Sequence, residues 1–236
     1  MKKINVSIVL YHNQQDQLLE TINSIFNTNL NIKLYLIDNS AKDDLKALSE
    51  YDERIVYIFN NANLGYGAGH NIAIQKSIQD SIPYHLVLNP DIYFESDVLS
   101  KLHDYMEDHQ NVGNIIPQVK YPNGEIQHLC KLLPTPMDLI LRRFIPLKSW
   151  KEKRNEQYEL KWTGYNKIMN IPSLSGCFMF LRVDALKKVG LFDENIFMYL
   201  EDTDLNRRLH REYKTIFYPE VEIFHEYGKE SYKNKK

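Results

Sequence analysis

The residues best suited to chemistry fall in a few short runs, and carboxylates stand out among them. Late in the chain, Glu201, Asp202 and Asp204 lie within four residues, in Tyr199-Leu200-Glu201-Asp202-Thr203-Asp204-Leu205-Asn206-Arg207-Arg208. Negative groups this close repel one another unless a helix N-terminus, an arginine or a substrate compensates. The plain alternative is an acidic helix start with solvated charges. At helical spacing Asp204 reaches Arg207 or Arg208, whereas Asp202 points about 160° away at roughly 100° per residue. Asp38 opens Asp38-Asn39-Ser40. A carboxylate there can accept the N3–H of a uracil or thymine ring, or simply close an Asx-turn or cap a helix. Asn63-Leu64-Gly65-Tyr66-Gly67-Ala68-Gly69-His70-Asn71 sets glycines at every second position. That pattern lets backbone approach a ligand beside the N–H groups of a helix start, or it is a flexible loop. Its register is GxGxG, unlike the GxGxxG of dinucleotide sites. Leu88-Asn89-Pro90-Asp91 supplies an amide and a carboxylate at one turn, and His225 stands in Phe224-His225-Glu226-Tyr227-Gly228-Lys229-Glu230-Ser231.

These runs follow a regular framework. Asn5–Leu10 reads as a strand, and Leu18, Leu19, Ile22, Ile25 and Phe26 follow it at helical spacing with one apolar face. Ile32–Ile37 is a second strand, followed by a helical stretch around Asp44–Tyr51 and a third strand at Ile55–Phe59. A glycine-rich loop leads into a helix near Asn71–Ile78, and Tyr84–Leu88 is the fourth strand. Ser96 suits the N-cap of a helix running to about His109. Such alternation implies right-handed crossovers and a mostly parallel sheet covered on both faces. Ligands of such sheets bind beyond the carboxyl ends of the strands. Those ends carry Tyr11-His12-Asn13, Asp38-Asn39-Ser40, Asn60-Asn61-Ala62-Asn63 and Asn89-Pro90-Asp91, all polar. The second half is less regular. Pro122-Asn123-Gly124 predicts a hairpin tip, Ser175–Arg182 a strand, Asp184–Val189 a short helix and Leu200–Arg211 a longer one. Thr215–Tyr218 and Val221–Phe224 read as closing strands, and the tail from Lys229 as disordered.

The order and spacing of these runs, over nearly the whole chain, resemble glycosyltransferase family 2 and its rhamnosyltransferase-like branch. The resemblance implies an α/β fold of the GT-A type, Rossmann-like, in one domain, with a nucleotide-binding half over 1–115 and an acceptor half over 116–236. It implies an inverting enzyme that moves a sugar from a nucleotide-diphosphate donor, dTDP-L-rhamnose or a UDP-sugar, to a hydroxyl of a glycan or lipid-linked glycan in surface polysaccharide synthesis. By the same resemblance Asp38 holds the base, and Asn63, Gly67 and Asn71 lie beside the nucleotide. Tyr11, at the end of the first strand, belongs to that nucleotide edge. Asn89 and Asp91 take the place of the family's Asp-x-Asp. The first carboxylate is replaced by Asn89, so Asp91 remains to hold Mg²⁺ or Mn²⁺ against the diphosphate, where negative charge grows as the bond breaks. An Asp of the Glu-Asp motif is the family's general base, which maps onto Asp202 with Glu201 as the alternative. His225 would complete the metal shell or contact the diphosphate, and Lys229 would neutralise phosphate charge. Ser173–Gly176 would lie near the donor sugar and acceptor.

Composition narrows the field. The chain has 236 residues, 43% of them apolar, which fits one large soluble domain. A formal charge of −2 gives no electrostatic case for nucleic acid. The apolar run Val6–Leu10 is too short for a signal-peptide core, so Cys130 and Cys177 are expected as a reduced pair in the cytoplasm. Met137–Arg154 mixes large apolar residues with six basic and two acidic ones, which suits peripheral contact with a membrane or a solvated face of the acceptor half. Two other classes share parts of the pattern. A nucleotidyltransferase would carry glycine and basic residues after the first strand, and Val9–Gln17 has neither glycine nor lysine. An inactive nucleotide-sugar-binding module would be expected to lose Asp91 or Asp202, and both are present.

Overall fold

The structure is a computed structural model and describes residues 2–95, 97–133 and 154–226. Strand β1 (Lys3–Leu10) is followed by helix α1 (Gln15–Phe26), β2 (Asn31–Asp38), a 3₁₀ turn at Lys46–Glu50 and β3 (Ile55–Phe59). Helix α2 (Tyr66–Gln79), β4 (Tyr84–Leu88), β5 (Ile92–Phe94), α3 (Val98–Asp108) and β6 (Val112–Lys120) come next. After the short strands β7 (Cys130–Lys131), β8 (Met169–Asn170) and β9 (Ser173–Leu174) the chain forms β10 (Phe178–Arg182), α4 (Val183–Val189), α5 (Glu201–Glu212) and β11 (Lys214–His225). Nine strands make one sheet in the order β3-β2-β1-β4-β10-β6-β11-β5, with β8 paired to β11. The β3-β2-β1-β4 half is parallel. The other half is mixed. β10 runs antiparallel to both β4 and β6, and β11 is parallel to β6 but antiparallel to β5 and β8. The sheet is therefore parallel in its first half and mixed in its second.

Parallel strands covered on both faces should be apolar almost throughout, and every residue of β4 is buried. On one face, Leu18, Ile22 and Ile25 of α1 join Leu99, Leu102 and Met106 of α3 over Val6, Ile8, Leu34 and Leu86. Each of these side chains contributes about 1.5–3 kcal/mol by leaving water. On the other face, Ile74 of α2, Ala185 and Leu186 of α4, and Leu205 and Leu209 of α5 cover Val87, Met179 and Leu181. Helix α3 ends on Arg182, whose buried guanidinium donates to the carbonyls of Met106 (2.6 Å), His109 (3.1 Å) and Val112 (2.8 Å).

Three boundaries differ from the sequence reading. Helix α2 begins at Tyr66, five residues before the expected start, so Gly67 and Gly69 lie in its first turns and not in a loop. The two closing strands are one, β11, with a register shift between Tyr218 and Glu222 that the apolar pattern registered as a break. Glu95 and Asp97 flank the proposed cap Ser96, which lies outside the described residues, and α3 starts at Val98. The Pro122-Asn123-Gly124 turn is a hairpin tip as expected, closed by Tyr121 N–H to Glu125 O at 2.8 Å. Cys130 and Cys177 are both buried free thiols. No helix among the described residues is long and apolar enough to cross a membrane.

Candidate active site

The parallel strands end together and their loops knit one edge. Asn39 N–H donates to Leu10 O (2.9 Å) and Asn60 N–H to Asp38 O (2.9 Å), while the Asn39 amide donates to Gly65 O (3.1 Å) and receives from Asn60 (2.8 Å). Asp38, buried at the end of β2, accepts Ser40 N–H on Oδ1 (2.8 Å) and the Tyr57 hydroxyl on Oδ2 (2.5 Å). The Asx-turn alternative is thus realised, and a nucleobase N–H would share a carboxylate that already holds two donors. Burial and the Asp38 bond raise the Tyr57 pKa. Tyr11 stands half exposed beside this edge, its N–H on Asn13 Oδ1 (2.8 Å).

The glycine segment packs closely on the segment that precedes α5. Asn63 Oδ1 accepts Gly65 N–H (3.1 Å). Gly65 has φ +87°, and a Cβ there would meet Phe197 O at 2.4 Å; one on Gly67 would meet Phe192 Cβ at 2.8 Å. Gly67 is therefore glycine so that α2 can close on Phe192, and the close approach is to the protein itself. Asn71, only 2% exposed, gives its whole amide to the same segment. It accepts Phe192 N–H (3.1 Å) and donates to Phe192 O (2.9 Å) and Glu194 Oε1 (3.0 Å). Asn71 thereby clamps the segment that leads into α5. Asn71→Ala is expected to cost about 1–3 kcal/mol of stability in urea unfolding, because it strands buried backbone groups. Lost nucleotide affinity at unchanged stability would instead make Asn71 a ligand contact.

Across the edge, Asn89 N–H donates to Cys177 O (2.9 Å), and Asn89 Oδ1 lies 3.2 Å from the Tyr66 hydroxyl, which donates to Gly176 O at 2.7 Å. Burial first, then Cys177 and the negative charges of Asp202, Glu201 and Asp91, raise the Tyr66 pKa well above its usual value. One hydroxyl therefore senses both the Asn-Pro-Asp turn and the Glu-Asp motif. Tyr66 was not singled out by sequence, although it lies inside the glycine run; Gly176 closes the Ser173–Gly176 turn expected near the donor sugar and acceptor.

The pairing of β5 with β11 brings Asp91 to His225. Ile92 is the register partner of His225, and Glu226 N–H donates to Asp91 O (3.0 Å). His225 Nε2 lies 3.2 Å from Asp91 Oδ1. Gln127 donates its amide to His225 O (2.9 Å), so its Oε1, 3.0 Å from Nδ1, accepts the Nδ1–H of the ring. That bond fixes the ring with Nε2 facing Asp91. Asp91 Oδ1 is buried and receives no hydrogen bond. A carboxylate and an imidazole nitrogen at this distance are the ligand types that suit Mn²⁺ or Mg²⁺. Among the described residues no group of three or more His, Cys, Asp or Glu side chains converges. Further ligands would come from diphosphate and water, as is usual for Mg²⁺. Lys229 lies outside the described residues.

Helix α5 carries the remaining carboxylates. Asp202 Oδ2 accepts Gly176 N–H (2.8 Å) and Oδ1 accepts Thr203 N–H (2.6 Å). The Ser173–Gly176 turn thus touches Asp202 directly. Glu201 is 6% exposed and its Oε2 has no hydrogen-bond partner. Burial chiefly, with the charge of Asp202, raises its pKa against its own backbone N–H. Asp204 bonds both arginines, Arg207 (3.0 Å) and Arg208 (2.8 Å); burial raises its pKa, but these bonds prevail and lower it. Asp202 is the partly exposed member of the Glu-Asp pair.

Residues 7–190 match the glycosyl transferase family 2 profile, and the chain belongs to that family. The matched span includes Asp38, the glycine segment and Asp91, and stops short of α5. The chain is 26% identical over 217 residues to an N-acetylglucosaminyl-diphospho-decaprenol L-rhamnosyltransferase of Mycobacterium tuberculosis, covering 82% of this chain and 66% of that protein. It is 23% identical over 210 residues to the rhamnosyltransferase WbbL of Escherichia coli, covering 86% of this chain and 75% of the relative. The chain thus spans about two thirds to three quarters of the length of these relatives. Its fold is similar to that of GalNAc-T7, solved with UDP, GalNAc and Mn²⁺ (TM-score 0.68, 15% identity, 94% of this chain and 43% of that one). It is also similar to Staphylococcus aureus TarS 1-349 in complex with UDP (TM-score 0.62, 14% identity, 94% and 59%). The fold is the GT-A type.

Proposed function

We propose that the chain is an inverting transferase, one catalytic domain with a nucleotide half before about residue 115 and an acceptor half after it. It moves a sugar from a nucleotide-diphosphate donor to a hydroxyl of a glycan or lipid-linked glycan. The observation that carries this reading is the bridge made by the Tyr66 hydroxyl between Asn89, in the turn that bears Asp91 facing His225, and Gly176, whose N–H is held by Asp202. Transfer with inversion needs negative charge handled on the leaving diphosphate and a proton removed from the attacking hydroxyl. These are the two jobs those groups suit. Asp91 and His225 would hold Mg²⁺ or Mn²⁺, which supplies positive charge against the diphosphate. Asp202, fixed by the N–H groups of Gly176 and Thr203 yet partly exposed, accepts the hydroxyl proton. Asp38 and the loops beside Tyr11, Asn63 and Asn89 form the nucleotide edge.

The names of the bacterial relatives support dTDP-L-rhamnose as donor and a lipid-diphosphate-linked glycan as acceptor; the UDP complexes of the structural neighbours keep UDP-sugars as the second choice. Such an acceptor suits a protein at the inner face of the cell membrane. Of the basic-apolar stretch Met137–Arg154, all but Arg154 lies outside the described residues. Membership of the family speaks against the nucleotidyltransferase alternative, and turnover separates an enzyme from an inactive binding module.

The test is a thermal-shift screen with UDP, dTDP, GDP and CDP, with and without Mn²⁺. A ligand at 100 times its Kd stabilises by about 2.7 kcal/mol, so dTDP or UDP should raise the midpoint by several degrees and GDP should not. Mn²⁺ should increase the shift in the native protein and not in Asp91→Asn. Equal shifts by GDP and dTDP would remove the pyrimidine assignment, and indifference to Mn²⁺ and EDTA would remove the metal.

A further inference from the structure

The segment joining the Asn71 clamp to α5 has the least ordinary backbone near the site. Tyr199 (φ 67°) and Leu200 (φ 72°), its last two residues, both occupy the left-handed region. Bulky L-residues hold that conformation only where the surroundings over-determine it. The surroundings do so here. Phe192 and Glu194 are bonded to Asn71, Phe197 O accepts Tyr66 N–H (3.2 Å), and Glu201 starts α5 buried. Between these anchors the chain displays four large apolar side chains in succession: Phe197 (51% exposed), Met198 (48%), Tyr199 (71%) and Leu200 (59%). Burial would favour turning such side chains inward. Instead a strained backbone holds an aromatic ring in solvent three residues before Asp202.

We propose that Tyr199, flanked by Met198 and Leu200, is the platform on which the acceptor's pyranose ring stacks. The proposal rests on the transferase reading for the direction of attack, and on this ledge for the contact. The C–H face of a pyranose is apolar and suits a tyrosine ring, while its hydroxyl edge suits a carboxylate. Tyr199 and Asp202 are separated by at most about 11 Å of chain, at 3.8 Å per Cα step. The ring and the group that takes the proton therefore stand at the same turn into α5. In a lipid-linked acceptor the hydrocarbon is separated from the reacting hydroxyl by the sugar and its diphosphate, so the sugar and not the lipid reaches this ledge.

The test is saturation-transfer NMR and titration with lipid-free methyl glycosides of glucose, N-acetylglucosamine, galactose and rhamnose, in the presence of dTDP and Mn²⁺. The native protein should bind at least one glycoside through its ring protons. Tyr199→Ala and Tyr199→Leu should weaken that binding about tenfold, the scale of one aromatic contact, and Tyr199→Phe should stay close to native. The melting midpoints of the variants should match the native one, since the side chain is mostly in solvent. If Tyr199→Leu restores native affinity, the contact is merely apolar and the stacking proposal fails. It also fails if the native protein binds none of the glycosides, or if Tyr199→Ala binds as the native does. dTDP and UDP affinities are measured on the same samples: glycoside binding that depends on the Tyr199 ring without binding of either nucleotide would keep the platform and overturn the transferase reading.

Discussion

Asp202→Asn is expected to lower kcat by about 10²–10⁴-fold, the usual contribution of a positioned general base, with donor affinity nearly unchanged. An acceptor hydroxyl is a poor nucleophile, and its proton must leave as the new bond forms. Asp202 is held for that task by Gly176 N–H and Thr203 N–H, and it is the carboxylate of the pair that solvent reaches. Asparagine keeps the size but cannot take the proton, and its amide can satisfy only one side of this anchorage. A urea midpoint therefore accompanies the kinetics, with a cost of about 1 kcal/mol expected from the lost bond. Glu201→Gln is the control. Glu201 is buried, its pKa raised by that burial, and its Oε2 finds no partner, so removing its charge relieves a desolvated group and should preserve turnover. If Glu201→Gln abolishes turnover while Asp202→Asn keeps it, the base is Glu201. If neither matters, the motif is structural and the base lies elsewhere in the acceptor half.

Much of this arrangement is legible in the sequence because it depends on local pattern. The continuous apolar runs of β1, β2 and β4, and the helical spacing of Leu18, Ile22 and Ile25, fix the parallel half and place its polar strand ends at one edge. The pairing of Asp204 with Arg207 and Arg208 follows from helical geometry alone. What escaped depends on long-range partners. Asn71 is a polar residue in a glycine run, and only the fold shows that Phe192, distant in sequence, takes up its amide. Gly67 reads as part of a ligand cradle, and only the fold shows that it also lets α2 close on Phe192. Gln127 carries no signal of its own, yet its amide bonds both the carbonyl and the ring of His225. Strand β6 was missed because Pro117 and the polar Asn114 interrupt its pattern; Asn114 is spent on Asn206 of α5 (2.8 Å).

Unfolding stability is expected to fall as pH drops below about 6.5, through a polar chain buried between β1, α2 and β4. Asn5 donates to Ser77 Oγ (2.9 Å), Ser77 Oγ lies 2.7 Å from His85 Nδ1, and Ser7 Oγ bridges His85 Nε2 (2.8 Å) and His70 Nδ1 (2.7 Å). Each imidazole is hydrogen-bonded as a neutral ring. Burial lowers the pKa of His85 to about 3, and burial together with His85 holds that of His70 well below the usual histidine value. In the folded chain both stay neutral while the unfolded chain takes up protons near pH 6.5. The unfolded state then binds more protons, so stability is full above that pH and is lost progressively toward the folded values. The loss approaches about 1.4 kcal/mol per pH unit for each ring, and His128 and His210, also lowered by burial, act in the same direction. Glu201 opposes them, because its raised pKa favours proton uptake by the folded chain over part of the same window. Two fully buried rings against one carboxyl leave a net loss, which matters against a typical total of about 5–15 kcal/mol. The check is the urea midpoint at pH 7 and pH 5, with the ring-proton shifts of His70 and His85 followed by NMR. The midpoint should drop over this interval while neither shift moves. Equal midpoints, or a His85 resonance that titrates near pH 6.5, would mean that water reaches the chain and that its burial is not maintained in solution.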